Sequence, residues 1–214
     1  MLYVLGIGSG NKENMSFACY EAIQNSDIIV GYDKYVNQIE NLLTNQEIYS
    51  TAMTGEIQRC KKAVEFAKNG KNVSVICSGD SGIYAMSGLI LELVDDDMPV
   101  KIIPGITSST LASSLLGAPI MHDSCTISLS DLLTPLELIY KRVEYAAMAD
   151  FVISFYNPKS KKRADYLKKA VEILLKYKAD ETPVGIVKRA YDENQEIYIT
   201  TLDNIDYNLV DMHS

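Results

Sequence analysis

The sequence of 214 residues has few cysteines and no excess of positive charge, and each shortage excludes a class of function. Its 4 cysteines form no C-x-x-C pair, which disfavours a zinc site and a disulfide framework. Since 20 basic residues stand against 28 acidic ones, the net charge of −8 disfavours nucleic acid, whose phosphates need a basic surface. No apolar run approaches the ~18 residues of a membrane span. We therefore expect a cytoplasmic protein that binds neither membrane nor nucleic acid and holds no metal of its own.

Short β-branched runs alternate with longer segments of helical period, which is typical of βαβ units around a mainly parallel sheet. The first run is interpreted as a strand, because it lacks the charged leader and cleavage site of a signal peptide. Strands are predicted at 2–7, 27–30, 47–50, 72–77, 100–103, 124–129, 151–155, 184–187 and 195–201, and helices at 15–25, 32–43, 56–68, 83–94, 109–116, 135–149 and 161–176. The break GAP that ends at Pro119 predicts two domains, residues 1–119 and residues 120–214.

Three loops that contain glycine each follow a predicted strand: GIGSGN at 6–11, CSGDSG at 77–82 and PGITSS at 104–109. Because the carboxyl ends of parallel strands meet at one edge of a sheet, the three loops predict a ligand site at that edge. The dinucleotide fingerprint needs a glycine where Asn11 stands and an acid at the end of the second strand. Both are missing, so an NAD-dependent enzyme is disfavoured.

Several polar side chains have two interpretations. Asp80, Thr107 and Ser108 serve either as ligand contacts or as caps of the helices that follow them. His122, the internal histidine, is either a structural residue or an acid–base group, since imidazole titrates near neutral pH. The sequence alone leaves both alternatives open at each position.

Four cations crowd the predicted start of a helix at Lys159, Lys161, Lys162 and Arg163. The helix macrodipole disfavours positive charge at this place, so the cluster favours an anion site over a solvated surface. Arg189, which follows a later predicted strand, is expected to join the same site.

Four longer strings are the most specific features of the chain: SGDSGIYAM at 78–86, SLSDLLTP at 128–135, FYNPKSKKR at 155–163 and TPVGIVKRA at 182–190. In this order they resemble the tetrapyrrole methylases, which use S-adenosylmethionine in corrin and siroheme synthesis. Within that family the chain is similar to the precorrin-3B C17-methyltransferases and the cobalt-factor III methyltransferases. The resemblance runs from residue 2 to about residue 211.

The resemblance implies an α/β fold of two domains with a ligand cleft between them, usually in a homodimer. The amino-terminal domain is expected to hold a mainly parallel sheet and the carboxyl-terminal domain a mixed one. The implied reaction transfers a methyl group from S-adenosylmethionine to C17 of precorrin-3B or cobalt-factor III, both tetrapyrrole polycarboxylates, and contracts the ring. Relatives continue through a further strand, so we expect the second domain to lack its last strand.

The resemblance also assigns residues to sites. The expected cofactor contacts are Gly79, Asp80, Ser81, Ile83, Tyr84, Thr107, Ser108, Leu129, Tyr156, Asn157 and Ala190. The expected substrate contacts are Gly8, Ser9 and Gly10, together with the carboxylate clamps Lys159, Lys161, Lys162, Arg163 and Arg189. His122 and Asp131 are the candidates for proton handling.

Two other functions remain open at this stage. One is methylation by another member of the superfamily, which would act at C11, C20 or C2 or on diphthamide. The other is a ligand-binding α/β protein without catalytic activity. Binding of S-adenosylhomocysteine without turnover would distinguish that binding protein from an enzyme.

Overall fold

A computed structural model describes residues 1–160 and 163–214. The chain divides into two compact units, Met1–Ser108 and Ser109–Ser214. The assignment of domains to residues 1–119 and 120–214 stays a prediction.

The first unit is built on a five-stranded sheet whose strands all run parallel. The strands are β1 (Leu2–Gly6), β2 (Ile28–Tyr32), β3 (Glu47–Thr51), β4 (Val73–Cys77) and β5 (Val100–Ile103). Their order in the sheet is β3-β2-β4-β1-β5, so β1 lies between β4 and β5, and Val4 pairs with both Val75 and Ile102. The parallel α/β arrangement predicted from the sequence is confirmed.

Helices cover both faces of this sheet, as the nearly uninterrupted apolar strands require. They are α1 (Phe17–Gln24), α2 (Asp33–Gln38), α3 (Glu56–Lys68) and α4 (Ser87–Leu93). Along β1, Val4 packs into the core with α3 and α4, whereas its neighbour Leu5 packs with α1 and α2. This alternation fixes the register of the central strand.

Two predicted helices of the first unit are shorter than expected. The helix predicted at 32–43 ends at Gln38 and is followed by a 3-10 turn, Glu40–Leu42. The helix predicted at 83–94 begins only at Ser87, because Tyr84 has a left-handed backbone with φ of +52°. A residue in that conformation cannot continue an α-helix.

The second unit begins within helix α5 (Ser108–Leu115), whose first residue is the last residue of the first unit. Strands β6 (Ser124–Ser128) and β7 (Val152–Tyr156) form a parallel pair, and β8 (Pro183–Lys188) and β9 (Glu196–Thr201) form an antiparallel pair. Parallel and antiparallel pairs therefore both occur, as predicted for a mixed sheet. Among the described residues, however, they form two separate sheets and not one.

Helices α6 (Leu136–Met148) and α7 (Tyr166–Leu174) complete the core of the second unit. Their buried residues Ile139, Val143 and Val171 pack with Ile127 of β6 and Ile186 of β8. The helix predicted at 161–176 is shorter in the structure, and part of that prediction lies outside the described residues. No helix formed by the described residues is both long and apolar enough to cross a membrane.

Candidate active site

The carboxyl ends of β1, β4 and β5 meet at one edge of the first sheet, here called the carboxyl edge. Gly8 and Gly79 form an antiparallel bridge across it, with amide-to-carbonyl distances of 3.0 and 2.8 Å. A Cβ on Gly6 would lie 2.5 Å from the Gly105 nitrogen and 2.7 Å from the Gly79 oxygen. Because only glycine permits this approach, the three predicted loops come together as main chain rather than as side chains.

Asp80 joins two of these loops. Its Oδ1 accepts from the amides of Gly82 (2.7 Å) and Ile83 (3.2 Å), and its Oδ2 accepts from the Gly105 amide (3.0 Å). Asp80 therefore caps the turn that precedes α4 and not the helix itself. Next to it, the Ser81 hydroxyl is fully buried and donates to the Ile103 carbonyl at 3.2 Å.

Beyond the buried Ser81, the chain reaches solvent at the carboxyl edge. Ile83 is exposed, and Tyr84 is 53% exposed and holds its left-handed backbone. The Gly79 main chain approaches the start of α5 so closely that a Cβ would lie 3.5 Å from the Ser108 nitrogen and from the Thr107 Cα. Exposed apolar side chains and two hydroxyl-bearing residues at a helix start therefore belong to one edge of one sheet.

The glycine loop after β1 is shaped by its own turn. Gly8 and Gly10 have φ of +61° and +90°, and a Cβ on Gly8 would lie 2.5 Å from the Asn14 carbonyl oxygen. Both glycines are buried, whereas Ser9 is partly exposed and its Oγ accepts from the Asn11 amide at 3.4 Å. The contact of this loop with a tetrapyrrole stays a prediction.

In the second unit, the loops after β6 and β7 are tied to each other. The Asn157 side-chain amide donates to the Ser128 hydroxyl at 2.9 Å, and the Leu129 amide donates to the Tyr156 carbonyl at 2.9 Å. The Leu129 side chain is fully buried in the core, so only its main chain is available to a ligand. The Tyr156 hydroxyl accepts from the Ser109 amide at 3.0 Å and donates to the Ser109 hydroxyl at 3.1 Å.

Left-handed backbone recurs at the predicted cofactor positions. Tyr84 and Asn157 both have φ of +52°, and Ala190 lies between Arg189 (φ +48°) and Tyr191 (φ +64°). Such conformations are costly for residues other than glycine and concentrate at functional sites. Because Thr54, Ala118 and Asp150 share this conformation outside the predicted positions, the assignment of the cofactor contacts stays a prediction.

The predicted carboxylate clamps are only partly described, because Lys161 and Lys162 lie outside the described residues. The Lys159 ammonium donates to the Tyr207 carbonyl at 2.7 Å, which attaches its loop to the last segment of the chain. Arg189 is exposed. The Arg163 Nε pairs with Asp131 at 3.0 Å.

The two predicted proton-handling residues differ in their surroundings. The hydroxyl of Tyr166 donates to Asp131 at 2.8 Å and, with the ion pair to Arg163, lowers the pKa of that carboxyl below its usual value. Asp131 is therefore ionised at neutral pH and cannot serve there as a proton donor. His122 is exposed and forms no hydrogen bond or ion pair with other described residues.

Sequence reasoning missed a buried cation in the first unit. Arg59 is 3% exposed, and its Nη1 donates to the Thr51 hydroxyl at 2.7 Å and to the Ala52 carbonyl at 3.0 Å. Its position beside the buried Cys60 on α3 was the available signal, because arginine can bury its aliphatic stem along an apolar helix face. Arg59 fixes the loop after β3, at the same end of the sheet as the carboxyl edge.

The structure also exposes two apolar residues within the string SLSDLLTP. Leu132 is 78% exposed and Leu133 is 93% exposed.

Within the described ranges, no group of three or more His, Cys, Asp or Glu side chains lies close enough together to hold a metal ion.

Residues 1–206 match the family model of the tetrapyrrole (corrin/porphyrin) methylases. The chain is 50% identical over 211 residues to a cobalt-factor III methyltransferase of Priestia megaterium, covering 95% of this chain but 39% of that protein. It is 48% identical to a probable cobalt-factor III C(17)-methyltransferase of Salmonella typhimurium, covering 100% of this chain and 90% of that one. A precorrin-3B C(17)-methyltransferase of Sinorhizobium sp is 34% identical, with 99% and 85% covered.

Solved structures agree with these relatives. The crystal structure of the methyltransferase CobJ matches with a TM-score of 0.93 and 31% identity, covering 99% of this chain and 90% of that one. A uroporphyrin-III C-methyl transferase of Thermus thermophilus, complexed with S-adenyl homocysteine, shares the fold with a TM-score of 0.72 and 16% identity, covering 98% and 87%. The resemblance drawn from the four strings is thus confirmed, and the chain belongs to the tetrapyrrole methylase family.

Proposed function

We propose that the chain is a methyltransferase that uses S-adenosylmethionine to methylate C17 of cobalt-factor III or precorrin-3B in cobalamin biosynthesis, with contraction of the ring. The observation that carries this proposal is the 48% identity, over all of this chain and 90% of its relative, to a probable cobalt-factor III C(17)-methyltransferase. The chain spans only 39% of the length of the Priestia relative, so we do not assign the whole activity of that longer protein to this chain.

The first unit's carboxyl edge suits S-adenosylmethionine, which supplies an activated methyl group when bound. Thr107 and Ser108, at the start of α5, carry hydroxyls for its polar parts, and Gly79, whose amide and carbonyl both pair with Gly8, is proposed to contact it by close approach of the main chain. Exposed Ile83 and Tyr84 offer apolar surface to its ring system. The remaining proposed contacts are Asp80 and Ser81 through their main chain, and Leu129, Tyr156, Asn157 and Ala190 of the second unit.

The tetrapyrrole carries several carboxylates, so we assign its recognition to the cations of the second unit. Arg163 and Arg189 have guanidinium groups that suit bidentate carboxylate binding. Lys159 retains further N–H donors beside its bond to the Tyr207 carbonyl. Lys161 and Lys162 are proposed from the sequence alone, and the loop at Gly8, Ser9 and Gly10 is proposed to face the macrocycle.

The reaction needs little covalent chemistry from the protein. The ring carbon is the nucleophile, so the residues act by holding two bound molecules in register and excluding water. The bridge between Gly8 and Gly79 fixes the edge on which this alignment depends. We propose His122 as the residue that moves a proton during ring contraction.

Incubation of the full chain with S-adenosylmethionine and either tetrapyrrole, followed by mass spectrometry, tests the proposal. We expect the mass of one added methyl group in a ring-contracted product. No methylation of either compound would contradict the assignment. Isothermal titration with S-adenosylhomocysteine makes the result specific, because binding without turnover would indicate a ligand-binding protein instead.

We further propose that the chain acts in the cytoplasm as a homodimer, as the family resemblance implies. Light scattering coupled to size-exclusion chromatography tests the second part. A mass of about twice 23.8 kDa supports the dimer. A mass that stays at the value of one chain at all concentrations contradicts it.

A further inference from the structure

Asp131, Arg163 and Tyr166 form a chain of contacts that the proposed reaction does not yet use. Asp131 follows β6, Arg163 precedes α7, and Tyr166 is the first residue of α7. One carboxylate oxygen of Asp131 lies 3.0 Å from the Arg163 Nε, and the other lies 2.8 Å from the Tyr166 hydroxyl. Both oxygens therefore have a partner.

We infer that Asp131 is a positioning residue, which holds the Arg163 guanidinium in the orientation that receives a carboxylate of the tetrapyrrole. The inference rests on the proposed function and deepens it. It replaces the proton-handling role that the sequence suggests for Asp131.

The chemistry of the carboxyl group argues against proton transfer. A general acid or base works best when its pKa lies near the operating pH. The hydrogen bond from Tyr166 and the charge of Arg163 move the pKa of Asp131 away from neutrality. The same hydrogen bond raises the pKa of Tyr166, so the phenol stays protonated and remains a donor.

The geometry leaves the useful part of Arg163 available. Only Nε pairs with Asp131, and no other described residue accepts a hydrogen bond from the guanidinium; the Arg163 side chain is 22% exposed. A guanidinium has five N–H donors, and its two terminal nitrogens match the two oxygens of a carboxylate. The pair with Asp131 thus fixes the plane of the group without using its terminal nitrogens.

Tyr166 connects this pair to a rigid part of the fold. Its ring packs against the core of the second unit, while its hydroxyl reaches Asp131. An ion pair this exposed contributes little to the stability of the fold, since solvent screens it. Precise placement of a binding group is the better explanation, because such groups need support from ordered neighbours.

The test compares Asp131→Asn, Arg163→Ala and the double variant in the full chain, with kcat and KM measured for the tetrapyrrole from pH 6 to pH 9. We expect Asp131→Asn to raise KM about tenfold, as loss of a charge-assisted contact does, with kcat within about twofold and no change in the pH profile. The double variant should match Arg163→Ala alone, because Asp131 acts through Arg163.

Two further variants serve as controls for this test. Tyr166→Phe removes the hydroxyl that donates to Asp131 but keeps the ion pair between Asp131 and Arg163, so it should raise KM by a smaller factor, about threefold. Asp95→Asn breaks an exposed ion pair with Lys68 in the first unit and should leave both constants unchanged. Thermal melts of each variant show whether the fold is intact.

Specific outcomes overturn the inference. A fall in kcat of a hundredfold for Asp131→Asn, with loss of one limb of the pH profile, would show proton transfer. Additive effects of Asp131→Asn and Arg163→Ala would show that the two residues act separately.

A binding measurement separates this inference from the proposed reaction. Fluorescence quenching measures the affinity for uroporphyrin III, a stable tetrapyrrole polycarboxylate, and needs no turnover. Absence of methylation with a tenfold weaker affinity of Asp131→Asn would overturn the proposed function alone. Equal affinity of the wild-type chain and Asp131→Asn would overturn the positioning role, whatever the activity.

Discussion

Gly8 and Gly79 exchange two main-chain hydrogen bonds, of 3.0 and 2.8 Å, across the carboxyl edge of the first sheet. Each lies in the loop that follows its strand, and both have positive φ, at +61° and +65°. The bridge is antiparallel, unlike the parallel pairing of β1 and β4 that precedes it, and it holds the two loops in one geometry. The site proposed on this edge is therefore already ordered before a ligand binds, which lowers the entropic cost of binding.

The close approach of the loops predicts that Gly105→Ala is strongly destabilising. A Cβ at Gly105 would overlap the Gly79 carbonyl oxygen and lie 2.5 Å from the Gly6 oxygen, which is main chain that cannot rotate away. We expect a loss of about 1–3 kcal/mol or more in the free energy of unfolding, measured by urea denaturation.

Gly88→Ala is the matched control for that variant. Gly88 lies in helix α4, and nothing stands within 4 Å of a Cβ built there. Alanine should stabilise the chain by about 0.5–1 kcal/mol. Equal effects of the two substitutions would contradict the packing assigned to the carboxyl edge.

The three amides that donate to Asp80 predict a combined effect on stability and ligand affinity. Asp80→Ala leaves the amides of Gly82, Ile83 and Gly105 without their acceptor. We expect a loss of about 1–3 kcal/mol of stability, together with weaker binding of S-adenosylhomocysteine in a calorimetric titration.

Asp97→Ala serves as the comparison, since Asp97 is exposed in the turn between α4 and β5, away from the carboxyl edge. It should change neither the stability nor the titration by a measurable amount. If Asp80→Ala behaves like Asp97→Ala, the loops after β4 and β5 do not depend on this carboxylate.

Much of the fold follows from the sequence because its elements have strong local signals. The apolar runs predicted at 72–77 and 100–103 are strands β4 and β5, and the helix predicted at 56–68 is α3 with the same bounds. The start of α4 was predicted incorrectly because the left-handed conformation of Tyr84 has no signature in its residue type.

The candidate site was predictable only in part for a different physical reason. Loops that follow parallel strands can be assigned to one edge of the sheet from the sequence alone, and the three glycine loops were assigned in this way. The contacts of Asp131 cannot be obtained in this way, since its partners Arg163 and Tyr166 lie more than thirty residues further along the chain. Neither could the sequence show that Leu129 is fully buried, because its apolar character fits a core and a ligand site equally well.

The cluster of Lys188, Glu196 and Tyr198 predicts a specific pH dependence of stability. Hydrogen bonds from Tyr198 and then Lys188 lower the pKa of the Glu196 carboxyl, and the bond to Glu196 raises the pKa of Lys188. The contribution of Glu196 is thus present above its ordinary pKa and is lost as the pH falls through the lowered value. That of Lys188 is present below its ordinary pKa and is lost as the pH rises through the raised one.

Urea denaturation of the wild-type chain and of Glu196→Gln checks this expectation. The difference in stability between the two proteins should be present at pH 7 and smaller at pH 3, because the contribution of the carboxyl falls as the pH drops from its ordinary pKa through the lowered one. A difference that is the same at both values would show that the ion pair with Lys188, 3.0 Å long, does not contribute.

The four thiols should react at very different rates. Burial raises the pKa of Cys19 and of Cys77 to about 12 and that of Cys60 to about 11, whereas Cys125 is only partly buried. Because the thiolate is the reactive form, an aromatic disulfide reagent at pH 8 should modify Cys125 first in the native chain. Substitution Cys125→Ser should abolish this phase, and rapid reaction of a second thiol would contradict the burial described for the first unit.

The position of the transferred methyl group tests the central claim most directly. The full chain is incubated with cobalt-factor III or precorrin-3B and with S-adenosylmethionine carrying ¹³C in its methyl group, and the product is examined by NMR. We predict a single enriched methyl signal at C17 of a ring-contracted macrocycle. Enrichment at C11, C20 or C2, or no enrichment with either compound, would contradict it.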